Sequence, residues 1–208
     1  TGKKITQVST GKGRTTCAYF LKDGAHFVYA STHLGNELCP AKPDYTKGYV
    51  WPIYPDYDLF LSDFKKQLTQ LTSTSGYDAE ATISPDGKKI VFTSVRDGDL
   101  ELYTMNIDGS EVKRLTNKLG YDGGGFFSPN GKKIVFQAFH PTKKEEIDRY
   151  QTLLAQHLVE PKNLEIFVID VTGNNQVQVT NNGAANFCPF FHPDGNRIIF
   201  SSNLADPS

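Results

Sequence analysis

Seven polar side chains of this chain have the types that hold ligands: Arg14, His33, Asp78, Glu80, Arg96, Asp122 and His140. Gathered on one rim they would form a mouth of mixed charge, suited to a peptide, a sugar acid or a metal. His33 and His140 are candidate bases or metal ligands, but two imidazoles hold an ion only with further ligands beside them. Trp51, with Tyr45, Tyr49 and Tyr54, offers rings for stacking on a ligand. Each group also has a purely structural reading. An aspartate at a strand start bonds loop amides, a histidine caps a strand end, and aromatics in a proline-rich loop make its small core. Cys17 and Cys188 fit as small buried hydrophobes. Asp97-Gly98-Asp99 lacks the remaining ligands of a calcium loop and reads as a turn. The sequence has no GxSxG, P-loop, complete GxGxxG or HExxH, so no catalytic residue, metal ligand or cofactor is assigned.

What relates these positions is a repeat. SPDGKKIVF (84–92) recurs as SPNGKKIVF (128–136) and as HPDGNRIIF (192–200), and LKDGAHFVY (21–29) follows the same template. Pro-Asp-Gly between β-rich runs is a hairpin turn, in which Pro presets φ, Asp bonds the following backbone and Gly takes positive φ. Ile90–Phe92, Ile134–Phe136 and Ile198–Phe200 read as buried central strands. A second half follows in DLFLSDFKKQLTQLT (58–72), ELYTMNIDGSEVKRLT (101–116) and EIFVIDVTGNNQVQVT (165–180), turning at Ile107–Ser110 and Thr172–Asn175. One unit is thus four antiparallel strands in about 44 residues, the size of a propeller blade.

The fold class is therefore all-β, a β-propeller of four-stranded antiparallel blades with one helical insertion. The expected layout is a last strand of a preceding blade at 1–10, blades at 14–72, 77–116 and 121–180, and the first half of a blade at 185–208. That is about three and a half blades of a larger ring, because a blade buries its faces only against neighbours. Two insertions break the spacing. Residues 33–55 carry four prolines and the aromatics named above. Residues 141–163 read as helical over about 142–158, with Thr142 and Glu145 as a capping box and Ile147, Tyr150, Leu154 and Leu158 on one face.

Antiparallel order puts every tight hairpin on one side of the ring and both insertions on the other. Register then places Thr15, Asp78, Asp122 and Asn186 at the start of each inner strand. Cys17, Glu80, Gly124 and Cys188 lie two residues on, and His33, Arg96, His140 and Leu204 at the end of each second strand. Binding favours that variable side.

Bulk properties set bounds. With 22 basic and 23 acidic residues in 208, the net charge is −1 and no nucleic-acid footprint is present. No run is long enough to span a membrane. Three cysteines without CxxC spacing permit one disulfide at most.

At SPDGKKIVFTS, DLELYTMNIDGSEVKRLT and FFHPDGNRIIFSSN the chain resembles TolB-like β-propeller repeat proteins of bacteria. STGKGRTTCAYF, YVWPIYPDYDLF, GYDAEATISPDGKKIVFTS and LGYDGGGFFSPNGKKI resemble an exported subgroup common in Bacteroidetes-type bacteria. The resemblance implies an exported, periplasmic or envelope-associated propeller of about six blades, with a signal peptide upstream and a protein or peptide partner, or a glycan, at its mouth. It implies a non-catalytic binding function. Two alternatives belong to other classes: a propeller lyase or hydrolase using His33 and His140, and the gating propeller of a prolyl-oligopeptidase-type serine peptidase.

Overall fold

The computed structural model describes residues 5–205. In chain order the strands are β1 (Thr15–Phe20), β2 (His26–Ser31), β3 (Trp51–Pro52), β4 (Asp58–Asp63), β5 (Leu68–Gln70), β6 (Asp78–Ile83), β7 (Lys89–Ser94), β8 (Glu101–Asn106) and β9 (Lys113–Arg114). They continue with β10 (Tyr121–Phe127), β11 (Lys133–Phe139), helix α1 (Lys144–Leu154), β12 (Leu158–Val159), β13 (Glu165–Asp170), β14 (Val177–Gln178), β15 (Asn186–Phe191) and β16 (Ile198–Ser202). Three four-stranded sheets form in the orders β1-β2-β4-β5, β6-β7-β8-β9 and β10-β11-β13-β14, and β15 pairs with β16. Pairing inside every sheet is antiparallel.

The repeated phrase closes the same hairpin each time. Gly87 N donates to Ser84 O at 2.8 Å, Ser84 N to Lys89 O at 2.9 Å, and Lys89 N to Ser84 Oγ at 2.9 Å. Asp86 Oδ1 accepts from Ser84 Oγ and Lys88 N, bonds that hold its carboxyl below the usual range. Ser128 and Asn130 repeat the set around Gly131. A second device recurs where each third strand begins: Thr72, Thr116 and Thr180 accept from the backbone N–H of Leu59, Leu102 and Ile166 at 2.8–2.9 Å.

Apolar faces are buried between successive sheets. Val91, Leu102 and Leu115 of the second sheet pack on Phe127, Ile134, Phe136, Phe167 and Ile169 of the third. Ile90–Phe92 and Ile134–Phe136 are completely buried, each side chain contributing roughly 1.5–3 kcal/mol. The third copy differs: Ile199 is 68% exposed, because β16 has β15 as its only partner among the described residues. Residues 5–10 make no ladder, and residues 1–4 of the strand expected there lie outside the described residues, as do residues 206–208.

The insertions depart most from expectation. Helix α1 is shorter than the expected span. Its N-cap is Lys143 without a side-chain cap bond, so the Thr142–Glu145 box does not form. Tyr150 and Leu153 are its buried residues, and Leu158 lies beyond it in β12. The two insertions bind each other: β3 pairs antiparallel with β12, matching Pro52 with Leu158 and Trp51 with Val159. Ile53 N donates to His157 O at 2.7 Å, Arg149 donates to Lys47 O at 2.8 Å, and Lys47 donates to Gln156. The insertions of the first and third sheets thus form a strap past the second. Tyr150 anchors it through its hydroxyl, which donates to Gly120 O at 2.7 Å and bonds Asp99.

Gly120 has φ +139°, and a Cβ there would stand 2.0 Å from Phe139 O. Gly87, with φ +75°, has open space around it. Gly87→Ala is expected to cost about 1–2 kcal/mol from left-handed strain alone. Gly120→Ala, which adds a backbone clash, is expected to cost clearly more in urea unfolding. Equal costs would contradict this packing.

Candidate functional site

Every inner strand carries a bulge near its start. Register slips between Thr16 and Tyr19, Ala79 and Thr82, Gly123 and Phe126, and Phe187 and Phe190. At each slip one residue is left-handed: Cys17 (φ 52°), Glu80 (58°), Gly124 (62°) and Cys188 (51°). Non-glycine residues there cost on the order of 1–3 kcal/mol and persist where surroundings over-determine them. Glu80 shows how. Its carboxylate accepts from Gly124 N at 2.7 Å, Thr93 Oγ1 at 2.9 Å, Tyr77 OH at 3.1 Å and Tyr121 OH at 3.2 Å. One carboxylate thereby ties the second sheet's bulge to the third's. Burial first, and Glu80 next, push both tyrosine hydroxyls well above their ordinary pKa, keeping them donors. The next bulge is held similarly, with Cys188 N donating to Gln137 Oε1 at 2.9 Å.

Asp78 and Asp122 are 1% and 0% exposed. Arg96 Nη2 donates to both oxygens of Asp78, at 3.0 and 3.1 Å, while Arg96 Nε donates to Ser94 Oγ. The guanidinium lies over the rings of Phe92 and Tyr103, 5.1 and 5.0 Å from their centroids. In the third sheet His140 takes the arginine's place, its Nε2 2.9 Å from Asp122 Oδ1 and its ring against Phe167. In the first sheet Thr15 replaces the aspartate. His33 then bonds Ser31 Oγ at 2.9 Å and packs on Phe60. Burial, then the Lys12 ammonium, hold His33 below its usual pKa.

The two histidines are therefore fixed in separate sheets by separate partners. No group of three or more His, Cys, Asp or Glu capable of holding a metal occurs among the described residues.

Trp51 is brought by the strap to the inner strands β10 and β15. Its ring meets Phe187 at 5.8 Å and Tyr121 at 6.2 Å, both near inner-strand starts, and its Nε1 donates to Tyr49 OH at 3.2 Å. Phe187 was not singled out in the sequence; only its step after Asn186 in the register marks it. Arg14 lies 5.5 Å from the Tyr54 ring and is exposed. Burial pushes the neighbouring Tyr57 hydroxyl up to about 12, against the pull of Arg14. Cys17 and Cys188 are exposed rather than packed as core; they stand at the left-handed bulge positions of the first and last sheets described. All three thiols are free. Surrounding protein, then Glu80, push the Cys17 thiol up, so it is not an activated nucleophile.

The seven polar groups and Trp51 thus divide by role. Asp78, Arg96, Glu80, Asp122 and His140 are bonded into the seams between strands and sheets, whereas Arg14 is exposed and Trp51 and His33, each bonded to a neighbour two residues away, are half-buried.

The stacked, radially repeated sheets form a TolB-like β-propeller fold. The model of the TolB beta propeller domain matches residues 56–152. A putative TolB from Agrobacterium tumefaciens superposes with a TM-score of 0.64 at 20% identity, over 94% of this chain and 60% of that one. TolB from Acinetobacter baumannii gives 0.60 at 22% identity, over 88% and 36%. The uncharacterized peptidase YuxL of Bacillus subtilis is 27% identical over 140 residues, 59% of this chain and 21% of the relative. The chain thus spans about a fifth of YuxL and 60% and 36% of the two TolB structures.

Asp78→Ala is expected to destabilise by about 3–5 kcal/mol, since it leaves the Arg96 charge uncompensated. Asp78→Asn, which keeps an acceptor, is expected to cost less in the same denaturation series. If both cost under about 1 kcal/mol, the pair is not the fixed element described.

Proposed function

We propose that the chain is part of a non-catalytic binding propeller of the bacterial cell envelope that grips a protein segment at the insertion-side mouth. The observation that carries this reading is the strap. Two insertions distant in sequence join to hold Trp51 beside Phe187 at the inner-strand starts. A fixed aromatic face at Trp51 and an exposed guanidinium beside the Tyr54 ring suit a peptide carrying an apolar and an acidic side chain, and aromatic anchors and arginine dominate such contacts. Arg14, Trp51 and His33 are the contact residues. Asp78, Glu80, Arg96, Asp122 and His140 stiffen the rim, which lowers the ordering cost of binding. A glycan would use the same rings, and the TolB likeness supports the envelope location of this reading. The complete protein would form a ring of about six blades.

A second reading has one specific support, the similarity to the uncharacterized peptidase YuxL. There the propeller would gate an α/β hydrolase domain elsewhere in the same protein. A reading frame encoding such a domain with GxSxG beside this chain would favour it.

Capture from envelope extract by the full-length protein, followed by affinity measurement with the captured partner, tests the binding reading. Trp51→Ala and Arg14→Ala are each expected to weaken capture about tenfold, the effect of losing one anchor of roughly 1.4 kcal/mol. His33→Ala combined with His140→Ala is expected to leave bound-metal content unchanged. Undiminished binding by the Trp51 and Arg14 variants would remove the site.

A further inference from the structure

The seams between sheets repeat one arrangement. An acid opens each third strand, at Asp58, Glu101 and Glu165, and faces the first residues of the next inner strand. In the first seam Asp58 accepts from Thr72 and Gln70 while Arg96 takes both oxygens of Asp78. In the third seam the inner strand supplies Asn186 in place of an aspartate. Its Nδ2 lies 3.3 Å from Glu165 Oε2, which also accepts from Thr180 Oγ1 at 2.5 Å.

The second seam has acids on both sides and a shortage of donors. Glu101 and Asp122 are both 0% exposed. They follow Leu100 and Tyr121, which bridge the two sheets in parallel, and Asp122 N donates to Leu100 O at 2.9 Å. Arg114 Nη2 serves Glu101 Oε1 at 2.8 Å, and His140 Nε2 serves Asp122 Oδ1 at 2.9 Å. Glu101 Oε2 and Asp122 Oδ2 are left buried with no hydrogen-bond partner. Orphaned buried carboxylate oxygens are costly, more so when two like charges share a seam.

We propose that Glu101 and Asp122 bind one proton between them at neutral pH, carried on Glu101 Oε2 and donated to Asp122 Oδ2, so that this seam is a proton-binding weld between the second and third sheets. Asn186 is the internal precedent, since its amide supplies from the inner strand the donor that the second seam lacks. The remaining charged and titratable neighbours are already engaged. Asp97 pairs with Arg114 at 3.5 Å and accepts from Tyr103 OH, and Asp99 accepts from Leu100 N, Gly120 N and Tyr150 OH of α1. Burial pushes the Glu101 carboxyl up to about 8 and Asp122 adds to the push, against Thr116 and Arg114.

The sign of the linkage follows. Between the unfolded value near 4.5 and the folded value near 8 the native state holds a proton that the unfolded chain has released, so stability falls as pH rises through that window. The full-length protein carrying ¹³C-labelled glutamate is titrated by NMR, with Glu101→Gln used to assign the resonance and as the reference in denaturation. Glu101 should titrate near 8. The unfolding constant of the wild type relative to Glu101→Gln should rise up to about tenfold per pH unit across the window. A Glu101 midpoint in the ordinary carboxylate range overturns the proposal. So does stabilisation of the wild type, absent in the variant, by added Na⁺, Mg²⁺ or Ca²⁺, which would mark a cation in the proton's place. Should Glu101→Gln not fold, sequential backbone assignment of the wild type identifies the Glu101 resonance, and its midpoint still decides.

Discussion

Each four-stranded sheet has two apolar faces and can dry them only against another sheet, so face-to-face burial organises everything else in the molecule. Val91 and Leu102 of one sheet need Phe127, Ile134 and Phe136 of the next, and β15–β16, covered on fewer sides, leaves Ile199 in water. Stacking also forces polar inner-strand starts into dry seams. Once there, each carboxylate needs a fixed partner, because an unpaired buried charge costs more than the packing around it returns. Arg96 for Asp78 and His140 for Asp122 meet that need with different side chains at one register position.

The bulges apply the same logic to the backbone. A left-handed residue near the start of every inner strand bends that strand and frees a backbone N–H toward the previous sheet. Glu80 and Gln137 accept those N–H groups, so neighbouring sheets are joined by directed bonds as well as by apolar contact. The strap adds a third kind of joint, in which two insertions exchange strand pairing across an intervening sheet.

Much of this was legible beforehand, and the exceptions have physical causes. The Pro-Asp-Gly hairpins, the sheet order and the equivalence of Asp78 with Asp122 follow from period and turn chemistry, which are local. Glu101 was passed over because an acid opening an apolar strand looks like an ordinary exposed end. Its repetition as Asp58, Glu101 and Glu165 was the available signal. Helix α1 begins one residue later than the Thr142–Glu145 pattern suggests. The strap fixes where it lies through Tyr150 and Arg149, and those contacts outweigh a cap of about 1 kcal/mol.

By itself the sequence determined what repeats: strand, turn and sheet are written in neighbouring residues, whose φ preferences and alternation need no distant partner. Tertiary structure decided which polar groups are spent and which stay open. Asp78, Glu80, Asp122 and His140 share a residue class with Arg14 and His33. Only the placement of Arg96 beside Asp78, of Tyr121 and Gly124 beside Glu80, and of Asp122 and His140 beside each other shows that the first four are bonded inward. The meeting of β3 with β12 is likewise invisible along the chain, because two-residue strands have no pattern of their own. Their pairing energy exists only once the sheets have brought them together.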